Sequence, residues 1–473
     1  YLYLNEPRSM PLSFFEDHPE LKGVVEGDYA AVCTSATPVQ EYLKDAVAYV
    51  CRQVPDIAGF FTITASENLT NCWSHHRGEG CPRCSKRDPA EVIAEVGQLI
   101  QAGIDSTSSE ARLISWDWGW KDEWAKGIIE RLPKKAAHMS VSEWSIPIKR
   151  GGVDSVVGEY SISTIGPGPR ATRHWGYAQD AGLETFAKIQ GNNTWEISSI
   201  PYIPAVENVA RHAENLRDLD LDGMMLGWTL GGHPSPNFEV IARMGSAEHP
   251  SVEEAMNETA IDRYGEALAG SVVEAWKAYS AAFSEYPYHI GVMYNGPQQM
   301  GPANPLWEKP TGYSSSMVGF PYDDLNSWRA VYPVDVFIGQ FQKMADGFRE
   351  AQSRLKELTA GVELTANQAK KLQLELDTAE VCSLHFQSVA NQSRFVQLRD
   401  RLLSSSEAKE QSKIISEILK VLESEKQVAI RLHEIQSRES RFGFEATNHY
   451  FYIPIDLAEK VLNVVDLIGK YSR

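Results

Sequence analysis

The chain has 473 residues, 45 Lys or Arg against 63 Asp or Glu, for a formal net charge of −18; 43% of residues are apolar and 23% charged. This is the composition of a folded globular protein rather than a disordered one, and at roughly 150 residues per domain its length predicts about three units, or one barrel with additions. The acidic surplus excludes non-specific binding to nucleic acid or anionic membrane, and no window approaches roughly 18 uninterrupted apolar residues, so no membrane-spanning helix is expected.

Residue 1 lies inside the strand-like run Tyr1–Leu4, which leads to the expectation that an N-terminal segment precedes it, together with any targeting signal. Low cysteine use, six residues in all, favours the cytoplasm as the expected compartment. Strand candidates then follow at 1–5, 21–25, 58–65, 111–117, 137–142, 184–190 and 222–229, with helical segments at 38–54, 89–103, 122–131, 173–181 and 204–216. A further run at 156–163 follows Arg150-Gly151-Gly152 and reads as the return strand of a hairpin from 137–142. Strand–helix alternation at this spacing predicts parallel strands with crossover helices. Without a Gly-rich phosphate loop the pattern favours a (β/α)8 TIM-type barrel over 1–240, its first strand outside this chain. Residues 241–340 read as a mixed connecting region packed on the barrel. Residues 341–473 read as a helical C-terminal domain, with apolar residues at three-to-four spacing such as Ile414, Ile418 and Leu422.

Chemistry-bearing residues cluster where the strands end: Asn5-Glu6-Pro7-Arg8, Ser66-Glu67-Asn68, Trp116-Asp117-Trp118, Ser142-Glu143-Trp144, Lys188 with Asn192 and Asn193, and Trp228. In a barrel these ends assemble the active site. Sugars offer C–H faces to indoles and hydroxyls to carboxylates and amides, so Trp116, Trp118, Trp144, Trp195 and Trp228 beside acids point to a carbohydrate. Glu67 closes the apolar run Phe60–Ala65; an acid at the mouth of such a strand is partly desolvated, which suits a general acid, the alternative being a solvated strand-end Glu. Near the C-terminus, Asn448 and His449 read either as part of a buried turn or as residues lent to the site.

The order Cys72, His75, Cys81, Cys84 is C-x2-H-x5-C-x2-C, a spacing that suits a tetrahedral zinc ion with no open position, hence a structural site. Whether His75 or His76 ligates stays open at this level, as do a Cys72–Cys81 or Cys81–Cys84 disulfide and free thiols. No cofactor is expected to be needed for catalysis.

The stretch Tyr29-Ala30-Ala31-Val32-Cys33-Thr34-Ser35, the helix through Val39 to Val54, Pro55-Asp56 and the strand ending in Glu67 resemble one segment of the β-N-acetylhexosaminidases, glycoside hydrolase family twenty. The resemblance covers residues 20–90 and extends by topology to about 240; the Cys-x-x-Cys loop is similar to one in bacterial relatives. It implies a catalytic barrel, exo-acting hydrolysis of a hexosaminide and Glu67 as general acid. Family members carry an Asp before that acid to orient the substrate's acetamido group, and this chain carries Ser66. The resemblance therefore implies either a replacement carboxylate, Asp117 or Glu143, or a mechanism without substrate assistance.

The expected function is an exo-acting glycoside hydrolase of the β-N-acetylhexosaminidase or β-N-acetylgalactosaminidase type, on an amino sugar. Catalysis would rest on Glu67, Asp117 and Glu143, and the sugar on Asn5, Glu6, Arg8, Trp116, Trp118, Trp144, Lys188, Asn192, Asn193, Trp195 and Trp228. The alternatives are a hexuronidase, with Lys188 and Arg8 holding a carboxylate, a non-catalytic carbohydrate-binding barrel, and an interaction scaffold. A homo-oligomer through the helical domain is a further expectation.

Overall fold

The computed structural model describes residues 1–65, 68–445 and 449–473, with His449 described only in its backbone. Contacts divide the chain into two compact units that interleave along the sequence. One comprises Tyr1–Ser142, Gly168–Lys188 and Asp220–Met225; the other comprises Glu143–Pro167, Ile189–Leu219 and Leu226–Arg473. The segments that follow two of the strands, from Glu143 and from Ile189, belong by packing with the helices of the second unit.

The first unit is built on six parallel strands in the order Leu2–Tyr3, Gly59–Ile63, Arg112–Trp116, Ala137–Val141, Glu184–Lys188 and Gly223–Met225. The central strands are almost wholly buried, which is why they read as apolar runs rather than as alternating ones. Helix Thr37–Gln53 presents Val39, Leu43, Val47 and Cys51 at four-residue spacing. These pack with Phe60, Leu113 and helix Pro89–Asp105, whose first turn is capped by Asp88 accepting from the Ala90 amide at 2.9 Å. Each large side chain buried in this way contributes about 1.5–3 kcal/mol. The two helices approach so closely at Gly103 that a Cβ there would lie 2.6 Å from the Lys44 carbonyl oxygen.

Two strand expectations change. Segment 21–25 is not a barrel strand: Lys22–Glu26 pairs antiparallel with Tyr29–Val32, which pairs in turn with Met10–Pro11 in a separate sheet. The turn at Gly151-Gly152 does make a hairpin, between Pro147–Arg150 and Val153–Val156 and not between 137–142 and 156–163, because Ala137–Val141 is taken up in the parallel sheet. The parallel pairing ends at Leu2–Tyr3 and at Gly223–Met225, so eight-stranded closure is not present among the described residues.

The second unit is mainly helical. Residues 241–340, expected as mixed, carry the helices Val252–Tyr264 and Glu266–Phe283, which pack with the long helices Val334–Thr359 and Ala366–Ser404. Ala408–Gln436 and Pro454–Tyr471 complete the set. Aromatic rings fill much of its core, with Tyr279 stacked on Phe348 at 5.4 Å. Buried charges here are met by hydrogen bonds: Glu375 accepts from Tyr202, Trp276 and Tyr264 at 2.7, 2.9 and 3.0 Å. Glu425 accepts from Ser388 at 2.6 Å and Asn391 at 3.0 Å and pairs with Lys460 at 3.0 Å, both charges fully buried. Lys460→Met should therefore lower stability by about 3–5 kcal/mol, since it strands a buried carboxylate. Urea denaturation checks this, and adding Glu425→Gln should recover part of the loss. Among the described residues no helix is long and apolar enough to cross a membrane.

Candidate functional site

Parallel strands present all their C-terminal ends at one edge of the sheet, and in such sheets that edge is where ligands bind. In the first unit it carries Asn5, Thr64, Trp116 to Trp118, Ser142 and Lys188. Asn5 is 4% exposed and its side-chain amide Nδ2 has no hydrogen-bond partner among the described residues. Trp116 is fully buried and meets the half-buried Trp118 edge to face at 5.5 Å. The Lys188 ammonium, also fully buried, lies 6.0 Å from the centre of the Trp116 ring. Ser142 donates its amide to the Lys188 carbonyl at 3.0 Å, tying two neighbouring ends. Glu6 and Arg8 turn to each other at 3.6 Å, with the Arg8 side chain 60% exposed.

Glu67 and Ser66 lie outside the described residues. The segment on either side is tightly built. The Thr64 carbonyl oxygen accepts from Asn71 Nδ2 at 2.7 Å, Ser74 Oγ at 3.0 Å and Thr70 Oγ1 at 3.1 Å, while Thr64 Oγ1 accepts from Trp120 at 2.8 Å. Three side chains of the following loop thus converge on one main-chain oxygen at the strand's end.

Asp117 directly follows strand Arg112–Trp116. It is fully buried, and its Oδ2 accepts from His174 Nδ1 at 2.6 Å, Arg170 Nη1 at 2.9 Å and the Ser140 hydroxyl. Arg170 also donates to the Asp117 carbonyl at 3.1 Å, and His174 Nε2 faces Asp122 at 2.9 Å. Burial pushes the Asp117 carboxyl up, but Arg170, His174 and His138 outweigh it and hold the group well below the usual carboxylate range. Asp117 therefore fastens helix Pro169–Asp180 to the strand end that carries Trp116. Neither Arg170 nor His174 had a spacing signal in the sequence.

The remaining site residues belong to the helical unit. Glu143 is fully buried with His212 Nδ1 at 3.7 Å, and burial pushes His212 down to about 3. Asn192 is a loop anchor: its amide donates to the Gly231 and His233 carbonyls, each at 2.9 Å, and its oxygen accepts from Ser235. Asn193 does the same toward the Ile200 carbonyl at 2.6 Å. Both Nδ2 groups thus serve main-chain carbonyls, while Asn193 Oδ1 is buried without a hydrogen-bond partner among the described residues. Trp144, Trp195 and Trp228 are half-buried, and Gln190 clamps the Trp228 main chain through both its amide atoms at 2.7 and 2.8 Å. Glu196, not singled out from sequence, is fully buried. Burial raises its pKa, partly offset by hydrogen bonds from Ser163, Ile162, Thr194 and Ser161. The expectation for Asn448 falls outside the described residues.

The cysteines give a second site in the first unit. Cys33, Cys72, Cys81 and Cys84 are all buried, with their sulfurs within 4.8 Å of one another; Cys33 lies 3.7 Å from Cys81 and 3.6 Å from Cys84. Each is a free thiol, far from the roughly 2.05 Å of a disulfide. The fourth corner is Cys33, just past strand Tyr29–Val32, and not His75: the His75 Nδ1 atom faces Glu26 at 2.6 Å. His76 faces the Gly119 carbonyl at 2.8 Å. Chain spacing within 72–84 could not reveal a thiol that arrives from another sheet.

No known family profile matches the sequence, and no curated protein matches it. Among solved structures, the chain is similar to a GH138 enzyme targeting pectin rhamnogalacturonan II, with a TM-score of 0.50 and 11% identity over 92% of this chain and 65% of that one. The chain thus spans 65% of that enzyme's length, and the likeness bears on fold. An O-GlcNAc hydrolase mutant from Thermobaculum terrenum is matched at a TM-score of 0.36 and 11% identity, over 90% of this chain and 76% of that one. A Flavobacterium johnsoniae chitobiase is matched at 0.33 and 14%, over 88% and 62% respectively.

Proposed function

We propose that the protein is a glycoside hydrolase that removes a β-linked amino sugar, GalNAc or GlcNAc, from a chain end. The observation that carries this reading is the strand-end edge of the parallel sheet, which holds a buried ammonium (Lys188) beside an indole pair (Trp116, Trp118) and, past another strand end, a buried amide nitrogen without a partner among the described residues (Asn5). Indole faces take sugar C–H surfaces, and amide and ammonium groups take hydroxyl or acetamido oxygens. The likeness to a polysaccharide-targeting enzyme adds a fold-level analogy only. The reading treats the six-stranded sheet as the catalytic part of a TIM-type barrel.

In this reading Glu67 protonates the leaving oxygen as the glycosidic bond breaks. Glu143, two residues past strand Ala137–Val141 in the chain, is the second carboxylate of this reading and stabilises the oxocarbenium-like transition state. Asp117 is given an anchoring role in this reading, because its Oδ2 carries the ion pair with Arg170 and the bond to His174. A second reading keeps the reaction and changes the sugar: the buried Lys188 ammonium suits the carboxylate of a hexuronide.

The test is release of p-nitrophenol from β-GalNAc, β-GlcNAc, β-Gal and β-GlcA glycosides. Cleavage of an amino-sugar glycoside is the expected result. Cleavage of the glucuronide alone would move the assignment to the second reading, and no release from any of the four, with no monosaccharide freed from chitin or pectin oligosaccharides, would sink both.

A further inference from the structure

The cysteine cluster has the dimensions of a metal centre. A tetrahedral zinc ion with Zn–S bonds of about 2.3 Å sets its sulfurs about 3.8 Å apart. Two of the pairs, Cys33–Cys84 at 3.6 Å and Cys33–Cys81 at 3.7 Å, match that edge, and the whole set fits within 4.8 Å. We propose that Cys33, Cys72, Cys81 and Cys84 bind one Zn²⁺ as a closed tetrathiolate, fastening the hairpin Lys22–Val32 to the loop that follows strand Gly59–Ile63.

The surroundings carry the assignment further. Binding converts four thiols to thiolates with release of four protons, so the centre holds a net charge of −2 in a buried place and needs compensation. It has two cationic routes. Arg83 Nε donates to Cys33 Sγ at 3.3 Å, and Ser35 Oγ lies 3.2 Å from Cys84 Sγ while accepting from Arg87 at 2.7 Å. Such outer partners orient the ligands of metal sites. The Cys81-Pro82-Arg83-Cys84 segment is a tight turn, with the Ser85 amide donating to the Cys81 carbonyl at 2.9 Å, so both of its sulfurs face one point. On the Cys72 side the room is made by Gly23, where a Cβ would lie 2.6 Å from Cys72 Sγ. Four thiolates leave zinc no open position, so the ion is structural and takes no part in hydrolysis. His75, held by Glu26, is outside the coordination sphere.

The experiment is metal analysis by mass spectrometry with zinc K-edge X-ray absorption on the full chain, for wild type, Cys33→Ser and His75→Ala. We expect about one zinc per wild-type chain with four sulfur neighbours at about 2.3 Å. In competition with a chromophoric chelator, Cys33→Ser should hold zinc more than about tenfold less tightly and His75→Ala as tightly as wild type. A folded wild-type chain purified with zinc supplied that carries none would overturn the proposal. So would three sulfurs and one nitrogen with zinc lost in His75→Ala, or iron with visible thiolate-to-metal absorption in place of zinc.

Discussion

Glu67→Gln is expected to lower kcat/KM on an unactivated glycoside by about 10²–10⁴-fold, the range that a positioned general acid supplies. The loss should depend on the leaving group. An alkyl or sugar leaving group must be protonated as it departs, whereas dinitrophenolate leaves without help, so a dinitrophenyl glycoside should lose far less rate in the variant. The pH profile gives a third reading. A general acid acts only when protonated, so wild-type activity falls as pH rises through its pKa, and that alkaline limb should vanish in Glu67→Gln. Measuring kcat/KM for both leaving groups over about pH 4–9 separates this role from a structural one. An equal loss on both substrates with an unchanged alkaline limb would remove Glu67 from the acid's role.

Legibility in the sequence followed what is local. The strands near 58–65, 111–117, 137–142 and 184–190 could be read because a strand buried on both faces is a short apolar run, and the structure places strands within all four. Pairing is not local. Segment 21–25 has the same apolar character, yet its partner is its own neighbour across the Gly27-Asp28 turn. The strand-end clustering was visible as composition, but composition does not separate a residue that faces a ligand from one that ties loops together. Asn192 and Asn193 satisfy main-chain carbonyls, and Asp117 serves Arg170 and His174, which lie more than fifty residues away in sequence. The cysteines show the same division. The turn containing Cys81 and Cys84 is a short-range pattern, while Cys33 joins it only because Tyr29–Val32 folds back on Lys22–Glu26. Residues 241–340 were obscured by Gly and Pro segments between helices that are themselves short of strong apolar periodicity, as in Val252–Tyr264.

Asp117→Asn should destabilise the chain by about 3–5 kcal/mol near neutral pH, because it removes the carboxylate from a buried guanidinium. Arg170 would then face the main-chain carbonyls of residue 117 and Trp120, neither of which carries a full charge. The pH dependence distinguishes an anchor from a substrate-facing acid. Asp117 has a folded pKa below its unfolded value of about 3.9, so its contribution is fully present above that pH and is lost as pH falls below it. Buried histidines set a different window. Burial pushes His138 and His212 down to about 3, against an unfolded value near 6.5, so between those limits only the unfolded chain takes up their protons. Stability of the wild type should therefore fall as the solution is acidified from about pH 6.5, at up to about 1.4 kcal/mol per pH unit for each such histidine. Asp117→Asn should run below the wild type at neutral pH, where the carboxylate's contribution is complete. The interval should then narrow below about pH 4, where the wild type begins to lose the carboxylate's contribution as well. Thermal midpoints of the two proteins at half-unit steps from about pH 7 to pH 3.5 measure that interval directly. A variant as stable as the wild type at neutral pH, or an interval that widens below pH 4, would return Asp117 to the set of residues free to act on substrate.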